Sequence, residues 1–429
     1  MKTVAFYTLG CKVNQYETQA IREQFIRAGF QEINNKQKAD IYVINTCTVT
    51  LKADQKSRQL IRLARRQNPR AVIIVTGCYV EKDEQDIRKI KGINFIVKNS
   101  RKDEIIDFVK PRLVRTQSPV CDYQAYPFLP ITNFKGRTRA FIKIQDGCNQ
   151  DCSYCKVRIV RGKSRSRRLE DIIKQARRLG NCGFKEIVLV GVHLGAYGLD
   201  LEDGSRLADV IESLEKISSI KRIRISSIDP LDITPRIIEK LGTSDKLCRH
   251  LHISLQSGDD YILRRMNRKY SADNIRKLIG NIRDKSKDIC IGLDVIVGFP
   301  GEGKTNFANT LSLLKQIKPG RIHVFSYSER RGTPACRFSG SVLHKEIKDR
   351  CRELKEFALK ASFRYQRRFL NSKVQVLVES KRDKATGLLC GYTGTYIRVL
   401  FDGSETLKND IVTIKISDIS LNNVVGKVP

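Results

Sequence analysis

The segment Cys148-Asn149-Gln150-Asp151-Cys152-Ser153-Tyr154-Cys155 decides the fold, because it places three cysteines on one short stretch of chain. Thiolates in the spacing C-x3-C-x2-C suit iron–sulfur or zinc chemistry. A structural zinc site needs four ligands, and the nearest further candidate is His193. A four-iron cluster held by three cysteines keeps one iron without a protein ligand. The loop therefore predicts a cluster whose open iron can bind and activate another molecule.

Strand-like and helical segments alternate after this loop and around it. Segments that read as strands, separated by helical patterns, lie at 138–145, 186–192, 221–227, 250–255, 289–297 and 321–327. This alternation predicts a parallel sheet with crossover helices, and six repeats predict a barrel short of the complete eight. The loop follows the first strand, at the carboxyl end where such folds build their sites. A basic helix over 345–369 is expected to close the domain.

Three more cysteines share one position in the first 110 residues. Strands are predicted at 2–9, 41–45, 71–76 and 94–97, with helices over 16–28, 54–66 and 83–90. Cys11, Cys47 and Cys78 each follow one of the first three strands. Because the carboxyl ends of parallel strands share one edge, we expect these thiols to meet as a second cluster site. The alternative is three buried thiols of the kind common in cores.

The chain is expected to be an α/β protein with three domains, spanning 1–112, 134–366 and 370–429. The irregular, Pro-containing stretch from 111 to 130 is predicted to be a linker. The last domain has β-branched runs and the turn signal Asp402-Gly403, which predict a small antiparallel β-barrel. Such barrels often bind nucleic acid, and a purely structural cap is the alternative.

Composition favours a polyanionic partner. The chain has 80 Lys and Arg against 46 Asp and Glu, a net charge of +34. This excess favours nucleic acid over a membrane surface, with a generally basic, solvated surface as the alternative. Thirteen cysteines without a secretory signal indicate a reducing compartment rather than a disulfide framework. No apolar run approaches the roughly 20 residues of a membrane span, so we expect a cytoplasmic protein.

Two other segments allow competing interpretations. Residues 298–305 match the phosphate-binding pattern G-x4-G-K-[ST]. Pro300 removes an N–H from a loop that must cradle phosphate, which argues against nucleotide hydrolysis. The basic run 156–168 directly follows the cysteine loop and is expected to contact nucleic-acid phosphates. The histidines at 250, 252, 323 and 344 lack ligand-like spacing and are expected to be structural.

Several segments together resemble the radical S-adenosylmethionine methylthiotransferases over almost the whole chain. They are LGCKVNQYE (9–17), NTCTVT (45–50), TGC (76–78), the cysteine loop, SLQSG (254–258), MNRKY (266–270), DVIVGFPGE (294–302) and FSYSERRGTP (325–334). Segments 12–18 and 49–59 look most like the branch that acts on N6-threonylcarbamoyladenosine in tRNA. Sister branches modify isopentenyladenosine in tRNA or an aspartate of a ribosomal protein. A nucleic-acid-binding iron–sulfur protein without catalysis is the competing class.

The resemblance implies an N-terminal methylthiotransferase domain, a partial (βα)6 radical S-adenosylmethionine core and a C-terminal TRAM domain that binds RNA. It implies that Cys148, Cys152 and Cys155 hold a [4Fe–4S] cluster whose free iron binds S-adenosylmethionine. The resulting 5′-deoxyadenosyl radical would take hydrogen from C2 of adenine, a step that the cofactor supplies. An auxiliary [4Fe–4S] cluster on Cys11, Cys47 and Cys78 would present the sulfur.

The resemblance also implies further contacts. Four residues are expected beside S-adenosylmethionine: Tyr154, Gly191, His193 and Gln256. His193 stands where the family usually has asparagine. The implied product carries a 2-methylthio group at position 37 of tRNA. The anticodon loop of tRNA and a reducing electron donor are therefore the expected partners.

Overall fold

The computed structural model describes residues 1–82, 87–109 and 128–429. Residues 111–127 of the predicted linker and residues 83–86 of the predicted helix over 83–90 fall outside these ranges. Within them, no helix is both long enough and apolar enough to cross a lipid bilayer.

The described residues of the N-terminal domain form a five-stranded parallel sheet. Its strands are β1 (Thr3–Thr8), β2 (Gln31–Glu32), β3 (Ile41–Thr46), β4 (Val72–Gly77) and β5 (Phe95–Val97), in the order β2-β1-β3-β4-β5. Helices α1 (Lys12–Arg27), α2 (Leu51–Gln67) and α3 (Cys78–Lys82) and the 3₁₀ segment Asn99–Phe108 lie between or after them. The central strand β3 is buried along its whole length, as expected for a parallel strand that is covered on both faces. The predicted alternation is confirmed.

The central domain is a partial barrel of six parallel strand positions. Its strands are β6 (Arg139–Lys143), β7 (Gln145–Asp146), β8 (Arg165–Ser166), β9 (Glu186–Val190), β10 (Arg222–Ile225), β11 (Ser227–Ile228), β12 (His250–Gln256), β13 (Cys290–Val297) and β14 (Arg321–Ser326). They form parallel sheets in the orders β10-β9-β6 and β11-β12-β13-β14, plus a small β7–β8 ribbon. Only Ser226 separates β10 from β11, so these two form the third strand position. The predicted (βα)6 architecture is confirmed.

Helices cover the outside of this barrel. They are α5 (Leu169–Asn181), α6 (Leu207–Glu215), α7 (Pro235–Thr243), α8 (Asp260–Arg265), α9 (Ala272–Lys285), α10 (Lys304–Ile317) and α11 (His344–Gln366). The short helix α4 (Val157–Arg161) instead packs against α3 of the N-terminal domain. Their apolar faces and the strands form one large core. The predicted closing helix corresponds to α11.

The C-terminal domain is a closed β-barrel. Its strands are β15 (Lys373–Val378), β16 (Leu389–Thr393), β17 (Arg398–Phe401), β18 (Ile411–Ile419) and β19 (Val424–Lys427), closed in the order β15-β16-β17-β19-β18. Neighbouring strands are antiparallel except for β17 and β19, which are parallel. Arg224 donates to the backbone carbonyls of Thr393 and Gly394 at 3.2 and 3.0 Å. The small barrel thereby packs against the amino end of the central one.

In the segment that matches a phosphate-binding loop (residues 298–305), backbone N–H groups donate hydrogen bonds to other groups of the protein. The N–H of Gly298 donates to the carboxylate of Glu302 at 3.0 Å, and Glu302 accepts from Arg350 at 2.8 Å. The N–H of Gly301 donates to the carbonyl of Gly340 at 2.7 Å. These amides are occupied within the protein, which agrees with the prediction against nucleotide hydrolysis.

Candidate active site between two cysteine groups

The cysteine loop (residues 148–155) leaves the carboxyl edge of the barrel through a tight turn. Gly147 has a φ of +71°, and a Cβ on it would lie 1.9 Å from the carbonyl oxygen of Lys163. Only glycine permits this conformation at such close range. The N–H of Cys148 then donates to the carbonyl of Gly162 at 3.0 Å. The start of the loop is therefore fixed against the chain that follows it.

Each sulfur of the cysteine loop accepts a hydrogen bond. The donors are the N–H of Gln150 to Cys148 (3.4 Å), the N–H of Val157 to Cys155 (3.4 Å) and the guanidinium of Arg268 to Cys152 (3.2 Å). Burial raises the pKa of Cys155 to about 12; the N–H of Val157 opposes this rise, and the neighbouring thiols add to it. Three free, adjacent thiols with donors directed at their sulfurs fit a three-thiolate iron site.

The second cysteine group (Cys11, Cys47 and Cys78) lies at the carboxyl edge of the N-terminal sheet. Gly10 has a φ of +98°, and a Cβ there would lie 2.9 Å from the sulfur of Cys47. The side chain of Asn14 ties the first two turns together through backbone carbonyls at 2.7 and 2.9 Å. Burial raises the pKa of Cys47 to about 12, and the charges of Cys78 and Cys11 contribute in the same direction. The structure thus brings the three predicted thiols together.

A buried ionic network joins this sheet to the central barrel. Its members are Glu17, Lys102, Lys143, Asp146 and Arg161. The guanidinium of Arg161 donates to Glu17 at 2.6 Å and to Asp146 at 3.1 Å. Its Nε donates to the sulfur of Cys78 at 3.3 Å. One arginine therefore contacts acids from both domains and a thiol of the second cysteine group.

The expectation that the basic run 156–168 contacts phosphates is wrong for three of its seven cations. Lys156, Arg161 and Arg167 are 5%, 2% and 6% exposed. Arg161 is held by the buried acids, and Arg167 donates to Gln175. The exposed members are Arg158, Lys163, Arg165 in part, and Arg168. The sequence of a charged segment does not show which of its side chains are buried. In this run, partners from elsewhere in the fold bury some of the basic residues.

A cavity of about 230 Å³ lies between the two cysteine groups. Its wall includes Cys78 from the second group and Cys155 from the cysteine loop. The other lining residues are Thr48, Val49, Thr50, Tyr154, Lys156, Val157, Val160, Gln256, Asp294, Ile296, Phe325, Ser326, Tyr327 and Ser328. The N-terminal sheet and the barrel therefore present their carboxyl edges to one shared space.

Two of the four residues expected beside S-adenosylmethionine line this cavity. Tyr154 packs edge-on against Phe299, with ring centroids 6.3 Å apart. Gln256 has a φ of +68°, a strained conformation that is common at functional sites. Gly191 and His193 are not in the cavity wall but lie beside the start of the cysteine loop.

His193 is positioned against the cysteine loop by an acid. Its Nε2 lies 2.7 Å from a carboxylate oxygen of Asp232. Burial lowers the pKa of His193, but the neighbouring Asp232 and Cys148 outweigh burial and raise it to about 10. A Cβ on Gly195 would lie 2.0 Å from the side chain of Asp232, so this glycine makes room for the acid. A contact between His193 and S-adenosylmethionine stays a prediction.

Sequence reasoning gave no role to two residues that the structure places at the site. Arg268 contacts both Cys152 and Asp229. Asp294 lines the cavity and lies 2.7 Å from His252 and 3.2 Å from His323. The two histidines, expected to be structural, therefore share a cavity-lining acid. The sequence feature that could have indicated a role for Arg268 and Asp294 is their place within the family-like segments 266–270 and 294–302.

Two family models match the chain. One is described as "Uncharacterized protein family UPF0004" and covers residues 3–98, and the other is "Radical SAM superfamily" over residues 142–314. A "Threonylcarbamoyladenosine tRNA methylthiotransferase MtaB" from Bacillus subtilis is 40% identical, with 97% of this chain and 94% of the relative covered. The chain belongs to the radical S-adenosylmethionine methylthiotransferase family. S-adenosylmethionine and iron–sulfur clusters are the cofactors of this family, as the resemblance implied.

Other matches fit this family. The protein named MtaB from Thermotoga maritima is 35% identical over 100% of this chain and 99% of the relative. A "tRNA-2-methylthio-N(6)-dimethylallyladenosine synthase" from Acetivibrio thermocellus is 30% identical over 100% and 91%. The structure of the radical S-adenosylmethionine methyltransferase TsrM from Kitasatospora setae has a TM-score of 0.55 at 13% identity, with 78% of this chain and 75% of that chain covered. That likeness concerns the fold alone.

Proposed function

We propose that this chain methylthiolates C2 of N6-threonylcarbamoyladenosine at position 37 of tRNA, acting in the cytoplasm with a reducing electron donor. The observation that carries the proposal is the cavity whose wall holds one cysteine from each group. We choose this base because the relatives named MtaB are 40% and 35% identical to the chain, whereas the dimethylallyladenosine synthase is 30% identical.

The residues present fit two three-cysteine clusters. Cys148, Cys152 and Cys155 would hold the cluster that binds S-adenosylmethionine, and Cys11, Cys47 and Cys78 the auxiliary one. When bound, these groups supply the radical that activates C2 and the sulfur that C2 receives. Tyr154 and Gln256 would contact S-adenosylmethionine from the cavity wall, with Gly191 and His193 beside the cysteine loop.

The protein's own contribution is to hold both cysteine groups around one space. Arg268 directs its guanidinium at Cys152, and Arg161 directs its guanidinium at Cys78. Arg330 fixes the two carboxyl edges relative to each other, because it donates to Thr48 at 2.8 Å and to Asp54 at 2.7 Å. These contacts hold the two cysteine groups around the space that a bound base would enter.

A basic helix face leads away from the cavity and suits an RNA backbone. Helix α2 begins directly after the cavity residues 48–50, and it exposes Lys52, Lys56, Arg62 and Arg66. Its acid Asp54 is buried against Arg330. Phosphates of the anticodon loop would follow this face. The C-terminal barrel (residues 370–429), with its TRAM-like size, would add further RNA contacts.

Iron content and product analysis test the proposal. Anaerobically reconstituted protein should bind about eight irons, as two four-iron clusters require. Cys152→Ala should abolish formation of 5′-deoxyadenosine, whereas Cys47→Ala should retain it and lose methylthiolation. Cys182→Ala, at an exposed thiol in neither group, is the matched control and should keep all of these properties.

Nucleoside mass spectrometry of tRNA from cells with and without the gene identifies the base. Loss of 2-methylthio-threonylcarbamoyladenosine supports the proposal, and loss of the isopentenyl counterpart assigns the chain to the sister branch. Binding of no more than four irons, or thiolation by Cys47→Ala, contradicts the two-cluster arrangement.

A further inference from the structure

The barrel interior beyond the cavity carries several cations. The side chains of Arg139, Arg224 and Arg321 surround the ring of Tyr396, at 5.5, 4.6 and 5.4 Å from its centroid. Lys12, the first residue of α1, extends toward this group, since Tyr396 and two of the arginines are among its electrostatic neighbours. These four cations have three acidic neighbours, Glu186, Glu379 and Asp294, so the group keeps a net positive charge that would attract an anion.

Lys12 differs from the two interior arginines that are paired with acids. Arg224 pairs with Glu186 at 2.7 Å, and Arg139 pairs with Glu379 at 2.8 Å. Lys12 is half-buried and makes no hydrogen bond or ion pair with any residue that the structure describes. A partly desolvated ammonium without a partner is unfavourable. An anionic ligand that binds beside Lys12 would therefore stabilise its ammonium group.

Asp294 connects this interior to the cavity. It lines the cavity and is also an electrostatic neighbour of Lys12. His252 and His323 lie 2.7 and 3.2 Å from one of its carboxylate oxygens. The carboxylate of Asp294 therefore interacts with these two histidines as well as with Lys12. A Cβ on Gly292 would lie 2.6 Å from the His252 ring, which shows that the strand makes room for this histidine. Lys12 is not itself in the cavity wall, but it lies on the far side of Asp294 from the cysteine groups' shared space, as an electrostatic neighbour of this lining acid.

We propose that Lys12 binds the carboxylate of the threonylcarbamoyl group on N6 and so selects this base over adenosines with a neutral N6 substituent. The inference rests on the proposed function and names the residue that sets its specificity. In adenine, C2 and C6 flank N1. When C2 faces the cysteine groups, the N6 substituent extends away from them, toward Asp294 and the interior cations. Lys156, the cation in the cavity wall, already has an interaction within the protein.

Binding of anticodon stem-loop RNAs to the iron-loaded protein tests this proposal by fluorescence anisotropy. Three RNAs that differ only at position 37 carry threonylcarbamoyladenosine, its methyl ester or unmodified adenosine. Wild-type protein should bind the carboxylate form about 10- to 100-fold more tightly than the ester. Lys12→Gln should remove that preference and leave ester binding within about 2-fold. Lys12→Arg should retain the preference, because it keeps the charge.

Two controls separate recognition from damage to the fold. Lys12→Gln should hold as much iron as wild type, which shows that the adjacent Cys11 is undisturbed. Lys216→Gln, at an exposed lysine after α6, should keep the wild-type preference.

The outcomes distinguish this inference from the proposed function. If Lys12→Gln keeps the wild-type preference, Lys12 does not bind the carboxylate, and the proposed function stands. The same conclusion follows if the wild-type protein binds the carboxylate and the ester equally and prefers both to unmodified adenosine. If wild type does not distinguish threonylcarbamoyladenosine from unmodified adenosine, both ideas fail.

Discussion

Glu17→Gln should strongly destabilise the contact between the N-terminal sheet and the barrel. The Glu17 side chain is 5% exposed and accepts from Lys102, Lys143 and Arg161. The substitution removes one of two acids from a network with three cations. Lys102, 3% exposed, then has no ion-pair partner among the described residues.

The expected size follows from this burial. Removing one partner of a buried ion pair costs about 3–5 kcal/mol, because the remaining charge is left uncompensated. At a urea dependence of about 3 kcal/mol per molar, the midpoint of the transition that separates sheet from barrel should fall by about 1–1.7 M. The matched control is Glu104→Gln. Glu104 is 44% exposed and pairs with the exposed Arg101, so its loss should cost at most about 1 kcal/mol.

Urea unfolding of the metal-free chain, followed by circular dichroism, measures both variants. Burial opposes ionisation of Glu17, but Arg161, Lys102 and Lys143 outweigh it and hold its pKa well below the usual range. A lowered folded-state pKa stabilises the protein above the unfolded value of about 4.3, and this stability is lost as pH falls through the folded-state pKa. The difference between wild type and Glu17→Gln should therefore be constant above about pH 5 and shrink in stronger acid. Equal midpoints for Glu17→Gln and Glu104→Gln would refute the reasoning.

Three other substitutions have expected results. Gly147→Ala should reduce reconstituted iron to about four per chain, since its Cβ would lie 1.9 Å from a backbone carbonyl; eight irons would contradict this. Gly195→Ala should lower Tm, because its Cβ would lie 2.0 Å from the side chain of Asp232, the acid that pairs with His193. Its control, Gly280→Ala in α9, has open space and should stabilise by about 0.5–1 kcal/mol in the same thermal scans. Replacing both Arg62 and Arg66 with Gln should reduce the salt dependence of log Kd for tRNA by about 1.4–1.8, as loss of two phosphate contacts predicts; an unchanged slope would remove α2 from the RNA surface.

Local patterns predicted the architecture well, and long-range pairing was harder to foresee. The alternation of β-branched runs and helices was sufficient for the parallel sheet and the six-position barrel. The two-residue strand β2 exists only because it pairs with β1, and no local pattern marks it. Likewise, β19 closes the small barrel by pairing parallel to β17. No local sequence pattern indicates that these two strands are neighbours.

The cysteine positions were predictable for a geometric reason, and other site residues were not. Parallel strands end at one edge, so Cys11, Cys47 and Cys78 had to lie near each other once their strands were assigned. Arg161 follows two apolar residues in a basic run, but its burial depends on acids from another domain. His252 and His323 meet at Asp294 only through the register of three strands. Propensity and charge contain no information about such register.

The ring of Tyr396 among the arginines also has a consequence for biosynthesis. The ribosome adds about 5–20 residues per second, so Tyr396 emerges about 4–15 s after Arg321. During that interval, Arg224 lacks the carbonyl acceptors of Thr393 and Gly394, and the nascent barrel is open at its amino end. These contacts between the two barrels can therefore form only after translation has nearly ended. A truncated chain that lacks the last domain should be a chaperone substrate rather than a smaller enzyme.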